Sequence, residues 1–241
     1  MRSWRAWAYA AVGLALAAAV TVAVVLISRG VGRTPVLEIT PRVGKRLILV
    51  ESTSGRVRRQ LRLEATLDVE PSWSPDGSRL VYEGLDSNGL NTGLYVADGK
   101  TQRRLVSRDF FPQQAQWSPD GKRIVFVSAR SGRIDFWGQA YAIWVMNADG
   151  TNVRLLTHNP GLDYSNPRWS ADGAQLAFTV TTLDPPKHGK WRWGVGVMPS
   201  SGGRRCLVYV ASGYRPGGVD WAPGSSPGSR LPHRCLSLTA P

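Results

Sequence analysis

The side chains best suited to recognition chemistry are aromatic and lie beside charge. Phe110 and Phe111 follow Arg108-Asp109. Asp163 and Tyr164 follow His158. Trp137 follows Arg133 and Asp135, and Trp191 and Trp193 alternate with Lys190 and Arg192 just after His188. Aromatic faces interleaved with charge suit a protein, a peptide or a glycan partner. Sets that could make or break bonds are sparse. Gly224–Gly228 reads G-x-S-x-G with His233 nearby, but a nucleophile elbow needs a strand-to-helix turn that this region does not offer. Asn147–Asn152 resembles a calcium loop without its closing bidentate Glu. Three scattered His and two Cys give no metal centre, and no phosphate loop or dinucleotide fingerprint appears. The expectation is a binding protein with no cofactor and no metal, not an enzyme.

A repeat must position these residues. Trp73-Ser74-Pro75-Asp76-Gly77 recurs as Trp117-Ser118-Pro119-Asp120-Gly121 and as Trp169-Ser170-Ala171-Asp172-Gly173, and a decayed copy starts at Trp221. The Trp residues are 44, 52 and 52 positions apart. Each full copy continues with a β-rich run, a variable loop, a second β-rich run, a tight turn and a last short strand. Pro and Asp suit the second and third turn positions, and Gly supplies positive φ on entry to the next strand. At equivalent positions the Trp residues are packing residues and the Asp residues are turn formers. Four antiparallel strands per unit cannot bury both faces, so the units must stack, and radial stacking is the β-propeller solution.

These residues closely resemble the TolB-like family of WD40-like propeller repeats, best over 166–178 and 143–157. The resemblance implies an all-β propeller, typically exported and bacterial. It is weak for function, because such repeats occur in scaffold proteins, in peptidase propellers and in some lyases. A degenerate propeller enzyme, lyase- or peptidase-related, is therefore the alternative reading.

Leu47–Val50 and Arg58–Leu61 read as the back half of a unit, and Trp221 onward as a front half. Three whole units and two halves make about four blades, or an incomplete ring that a second copy could complete as a homo-oligomer. The organisation expected is an anchor at 1–28, a basic linker at 29–45, propeller repeats at 46–222 and an irregular Gly/Ser/Pro-rich tail at 223–241.

Ala6–Ile27 is free of charge and long enough for one transmembrane helix, with Trp4, Trp7 and Tyr9 at its start. The rival is a cleaved signal peptide with Ala17-Ala18-Ala19 as its small-residue site, but the apolar run continues through Val20–Ile27. A net charge of +13 points to nucleic acid until it is located. Residues 1–62 hold 11 Lys+Arg against 2 acids, leaving 19 against 15 for the rest. Nucleic acid is therefore not the expected partner. Taken literally, the positive-inside count over Arg2 and Arg5 against Arg29, Arg33, Arg42, Lys45 and Arg46 places the large domain in the cytoplasm. The resemblance to a typically exported family instead implies a single-pass membrane protein with its large domain extracytoplasmic, binding a protein or a cell-envelope polymer. In that compartment Cys206 and Cys235 could pair, or both could be free. The recurring Arg58-Arg59, Arg103-Arg104, Arg154 and Arg204-Arg205 read as protection of outer strand edges, with a basic rim as the rival.

Overall fold

The structure is a computed structural model. It describes residues 25–27, 36–39, 46–51, 57–62, 66–67 and 71–236, except 87, 89, 99, 130–139, 160, 183–190, 214–217, 223–224 and 229. The chain divides into two compact units, Met1–Leu63 and Glu64–Pro241.

The first unit holds one antiparallel sheet in sequential order: β1 (Val25–Ile27), β2 (Val36–Ile39), β3 (Arg46–Glu51) and β4 (Val57–Arg62). Two expectations change here. Val25–Ile27, the end of the apolar run, pairs antiparallel with Val36–Glu38, so the helical reading does not reach those residues. Their β-branched and Leu side chains suit a strand equally well. Strand β2 falls inside the stretch read as a basic linker, so the back half-unit seen in the sequence belongs to a complete four-stranded sheet. The remainder of the proposed anchor lies outside the described residues. Among the described residues, no helix is long and apolar enough to cross a membrane.

The described residues of the second unit form three blades. Blade 1 comprises β5 (Thr66–Leu67), β6 (Ser72–Trp73), β7 (Leu80–Leu85), β8 (Asn91–Ala97) and β9 (Gln102–Ser107). Both β5 and β6 pair with β7, so together they form an interrupted inner strand. Blade 2 comprises β10 (Gln113–Trp117), β11 (Arg123–Ser128), β12 (Ala142–Asn147) and β13 (Arg154–Leu155). Blade 3 comprises β14 (Leu162–Trp169), β15 (Gln175–Thr182), β16 (Trp191–Pro199) and β17 (Cys206–Gly213). Each is an antiparallel meander. The one helical element among the described residues is a 3-10 turn at Arg108–Phe110.

Strand alternation gives every blade two apolar faces. Val81, Leu94 and Val96 of blade 1 pack against Trp117, Ile124 and Phe126 of blade 2. Val125, Val127, Ile143 and Val145, from the other face of blade 2, meet Leu176, Phe178 and Met198 of blade 3. The fit is close at Gly196, where an added Cβ would lie 2.5 Å from the Phe178 ring.

Beyond Trp221 the described chain makes no named strand, only a single antiparallel bridge between Leu207 and Leu236. The front half-unit expected there therefore does not form strands over those residues. Pro227 and Pro232 lack the N–H that a ladder needs. The segment instead packs Val219, Trp221, Leu231 and Cys235 on Ala177, Val197 and Cys206 of blade 3.

Candidate functional site

The repeat motif is a closed hydrogen-bonded turn. In blade 2 the Ser118 hydroxyl donates to Asp120 Oδ1 at 2.6 Å and accepts from the Arg123 N–H at 2.9 Å. Gly121 N–H donates to the Ser118 carbonyl at 2.9 Å, and Gly121 has φ of 68°. The same bonds recur around Ser74 with Asp76 and around Ser170 with Asp172. The serine is buried in all three turns. It is the member of the motif to which sequence reasoning assigned no role. Its hydroxyl, followed by the Ser78 N–H, holds the Asp76 carboxyl down to about 2. These acids are committed to turns.

A second set of contacts ties blade to blade. The Arg79 guanidinium lies 4.5 Å from the Trp117 ring centroid, and Arg123 lies 4.7 Å from that of Trp169. The Trp169 indole donates to the Gln116 carbonyl at 3.3 Å, and the Trp221 indole to the Arg168 carbonyl at 3.1 Å. Arg103 donates to the Asp149 carbonyl of the following blade at 2.9 Å, and Arg154 to that of Ser201 at 3.0 Å. Arg103 and Arg154, read from sequence as edge protection, are therefore also ties to the next blade.

The inner strands carry a polar ladder that the sequence reading missed. Gln114 and Asn166 both have positive φ, 53° and 51°, where β10 and β14 bulge. The bulge turns the Asn166 N–H out of its own sheet, and it donates to Gln114 Oε1 at 2.7 Å. Trp117 N–H, in regular register with Ile124, donates to Ser72 Oγ of the preceding blade at 3.1 Å. The available signal was positional, since Gln114 and Asn166 each precede a repeat Trp by three residues.

Antiparallel order places the connections between second and third strands, and those between successive blades, on one side. Of the aromatic candidates, Phe111 is exposed there in left-handed backbone and Phe110 is half-buried, edge-on to Trp144 at 6.2 Å. Leu90, in the β7–β8 connection and not singled out from sequence, is 60% exposed on the same side. Asp163 accepts from the Tyr141 N–H at 2.9 Å. Tyr164 is a correction to the expected surface role. It is buried against Phe178, because its side of β14 faces blade 2, and burial pushes its hydroxyl pKa up. Trp191 and Trp193 lie within β16 rather than in a loop, and Trp193 tilts onto the exposed Tyr209 at 5.4 Å. Trp137 and His188 lie outside the described residues. Cys206 and Cys235 are joined by a disulfide with Cα atoms 4.9 Å apart. Gly228, the last residue of the G-x-S-x-G string, donates its N–H to Asp172 Oδ2 at 2.8 Å.

Comparison with known proteins follows the repeat. Residues 39–182 match the TolB beta propeller domain family, PD40. Among curated proteins, the Tol-Pal system protein TolB of Bordetella pertussis is 34% identical over 119 residues, which are 49% of this chain and 26% of that protein. The chain thus spans about a quarter of the length of the curated relatives it matches. A solved structure assigned to TolB of Agrobacterium tumefaciens superposes with a TM-score of 0.56 at 24% identity, covering 73% of this chain and 61% of that one. TolB of Acinetobacter baumannii gives 0.51 at 21% identity, covering 72% and 40%. At those identities the structures show a shared fold.

Proposed function

From the premise that this chain belongs to the TolB β-propeller domain family, we propose that it is a binding module of the cell envelope, holding a protein or an envelope polymer on its loop side. One contrast carries the reading. Trp117 and Trp169, Asp76, Asp120 and Asp172, and Arg79, Arg103, Arg123 and Arg154 are engaged in turns and blade junctions, whereas Leu90 and Phe111 stand exposed on one side of the blades. Large apolar side chains on a rigid scaffold are what a partner buries as anchors. The disulfide supports an oxidising, extracytoplasmic compartment, and the uncharged run Ala6–Val24, which precedes β1, supports attachment to the membrane.

The test is capture of envelope components by the immobilised full chain. Leu90→Ser and Phe111→Ala, combined with Trp137→Ala and Trp191→Ala, should lose the captured partner while the unfolding midpoint stays unchanged. Undiminished capture by that variant would overturn the reading. So would cleavage of peptide or pectic substrates by the purified chain. Protease protection of the large unit in intact cells tests its compartment.

A further inference from the structure

Blades 1 and 2 each carry two side chains that tie down whatever packs on their forward face. One is the Arg six residues after the repeat Trp, Arg79 or Arg123, which stacks on the next repeat Trp. The other is the outer-strand Arg registered opposite Val96 or Val145, namely Arg103 or Arg154, which bonds the next blade's turn. In blade 3 both positions change. Six residues after Trp169 stands Gln175, which is buried and donates to the carbonyls of Gly228 and Arg230 at 2.8 and 2.9 Å. Opposite Val197 stands Cys206, bonded to Cys235. The Trp221 indole meanwhile repeats the bond made by Trp169 one blade earlier.

We propose that the described residues of the tail, 219–222, 225–228 and 230–236, form a redox-released clasp occupying the place of a following blade, with Cys206–Cys235 as its lock and Gln175 as its seat. The noncovalent seat consists of hydrogen bonds made with Arg168, Ala171, Asp172, Gln175 and Leu207 and an apolar contact of Val219, Trp221 and Leu231 with Ala177 and Val197. The covalent bond closes a loop across a sequence separation of 29 residues, and its loss returns that loop's chain entropy. In the opening step a dithiol reductant supplies two electrons and two protons. The S–S bond breaks, two thiols form on Cys206 and Cys235, and the reductant leaves as its own disulfide. The surface uncovered is of the kind on which blades 1 and 2 each receive a β-sheet.

Hydrogen exchange of the full chain, with and without dithiothreitol, tests the clasp. On reduction, the amides of Gly228 and Leu236, which bond Asp172 and Leu207, should lose protection by roughly tenfold or more, while β14–β16 and blade 2 keep theirs. Cys235→Ser should show the open pattern without reductant, and Gln175→Ala should loosen the segment while oxidised. If those two amides stay protected after reduction, the lock is not what holds the segment. If β14–β16 lose protection together with the segment, the disulfide supports the whole blade and the clasp is wrong. Should Cys235→Ser fail to fold, reduced wild type provides the same comparison.

Discussion

The Arg123 guanidinium sits 4.7 Å from the Trp169 ring centroid, across the junction of the second and third blades. Arg123 also begins the strand that follows the Ser118 turn, so one residue joins a turn to the neighbouring blade. Arg123→Ala should lower stability by ~1–2 kcal/mol through the lost cation–π contact and its packing, and Arg123→Lys by less. Urea unfolding followed by Trp fluorescence measures both. Equal losses for Ala and Lys would assign the effect to something other than the charge over the ring.

Ser118 is fully buried and serves as both donor and acceptor within its turn. Ser118→Ala leaves the Arg123 N–H without its hydroxyl partner and should cost about 1–3 kcal/mol. Ser118→Gly should be no better. A loss within a few tenths of a kcal/mol would mean that water replaces the hydroxyl.

The Asp76 pKa is lowered from 3.8 to about 2, chiefly by the Ser74 hydroxyl. A folded-state value below the unfolded one contributes stability that is present above about 3.8 and is lost as pH falls through about 2. Carboxyl NMR titration should show Asp76 returning toward its ordinary value in Ser74→Ala. An unmoved titration would rule out the hydroxyl as the cause.

Thr179 is fully buried, and its hydroxyl has no hydrogen-bond partner. The equivalent position of blade 2, ten residues after the repeat Trp, is Val127. Thr179→Val should therefore stabilise the protein by ~1 kcal/mol, because it removes an unsatisfied polar group at similar volume. A lowered midpoint in thermal unfolding would show that the hydroxyl has a partner in solution.

Gly196 faces the Phe178 ring with no room for a Cβ. Gly196→Ala should cost about 1–3 kcal/mol by overpacking the blade 2–blade 3 core. Pairing it with Phe178→Leu should recover part of that loss. No recovery would place the strain elsewhere.

The blade architecture was legible because its signals are local. Pro, Asp and Gly preferences and strand alternation act over a few residues, and three copies in register repeat them. That reasoning reached the turns at Asp76, Asp120 and Asp172 and the packing role of Trp117 and Trp169. It failed where a residue's role depends on which face of a strand meets a neighbour. Tyr164 looks like a loop aromatic in sequence but lies in the core. The recurring arginines look like edge charges, yet Arg103 and Arg154 bind the next blade's carbonyls. Val25–Ile27 and Val36–Ile39 suit strands, but only their pairing separates that reading from an apolar helix and a basic linker.

By itself the sequence determined the repeat, its turn chemistry and the all-β class, since each follows from backbone preferences within a short window. The tertiary structure decided what each repeated side chain touches. Gln175 and Cys206 could be recognised as replacements for arginine ties only after strand register aligned the blades. Contacts between positions some fifty residues apart depend on how sheets stack, and no local preference encodes that.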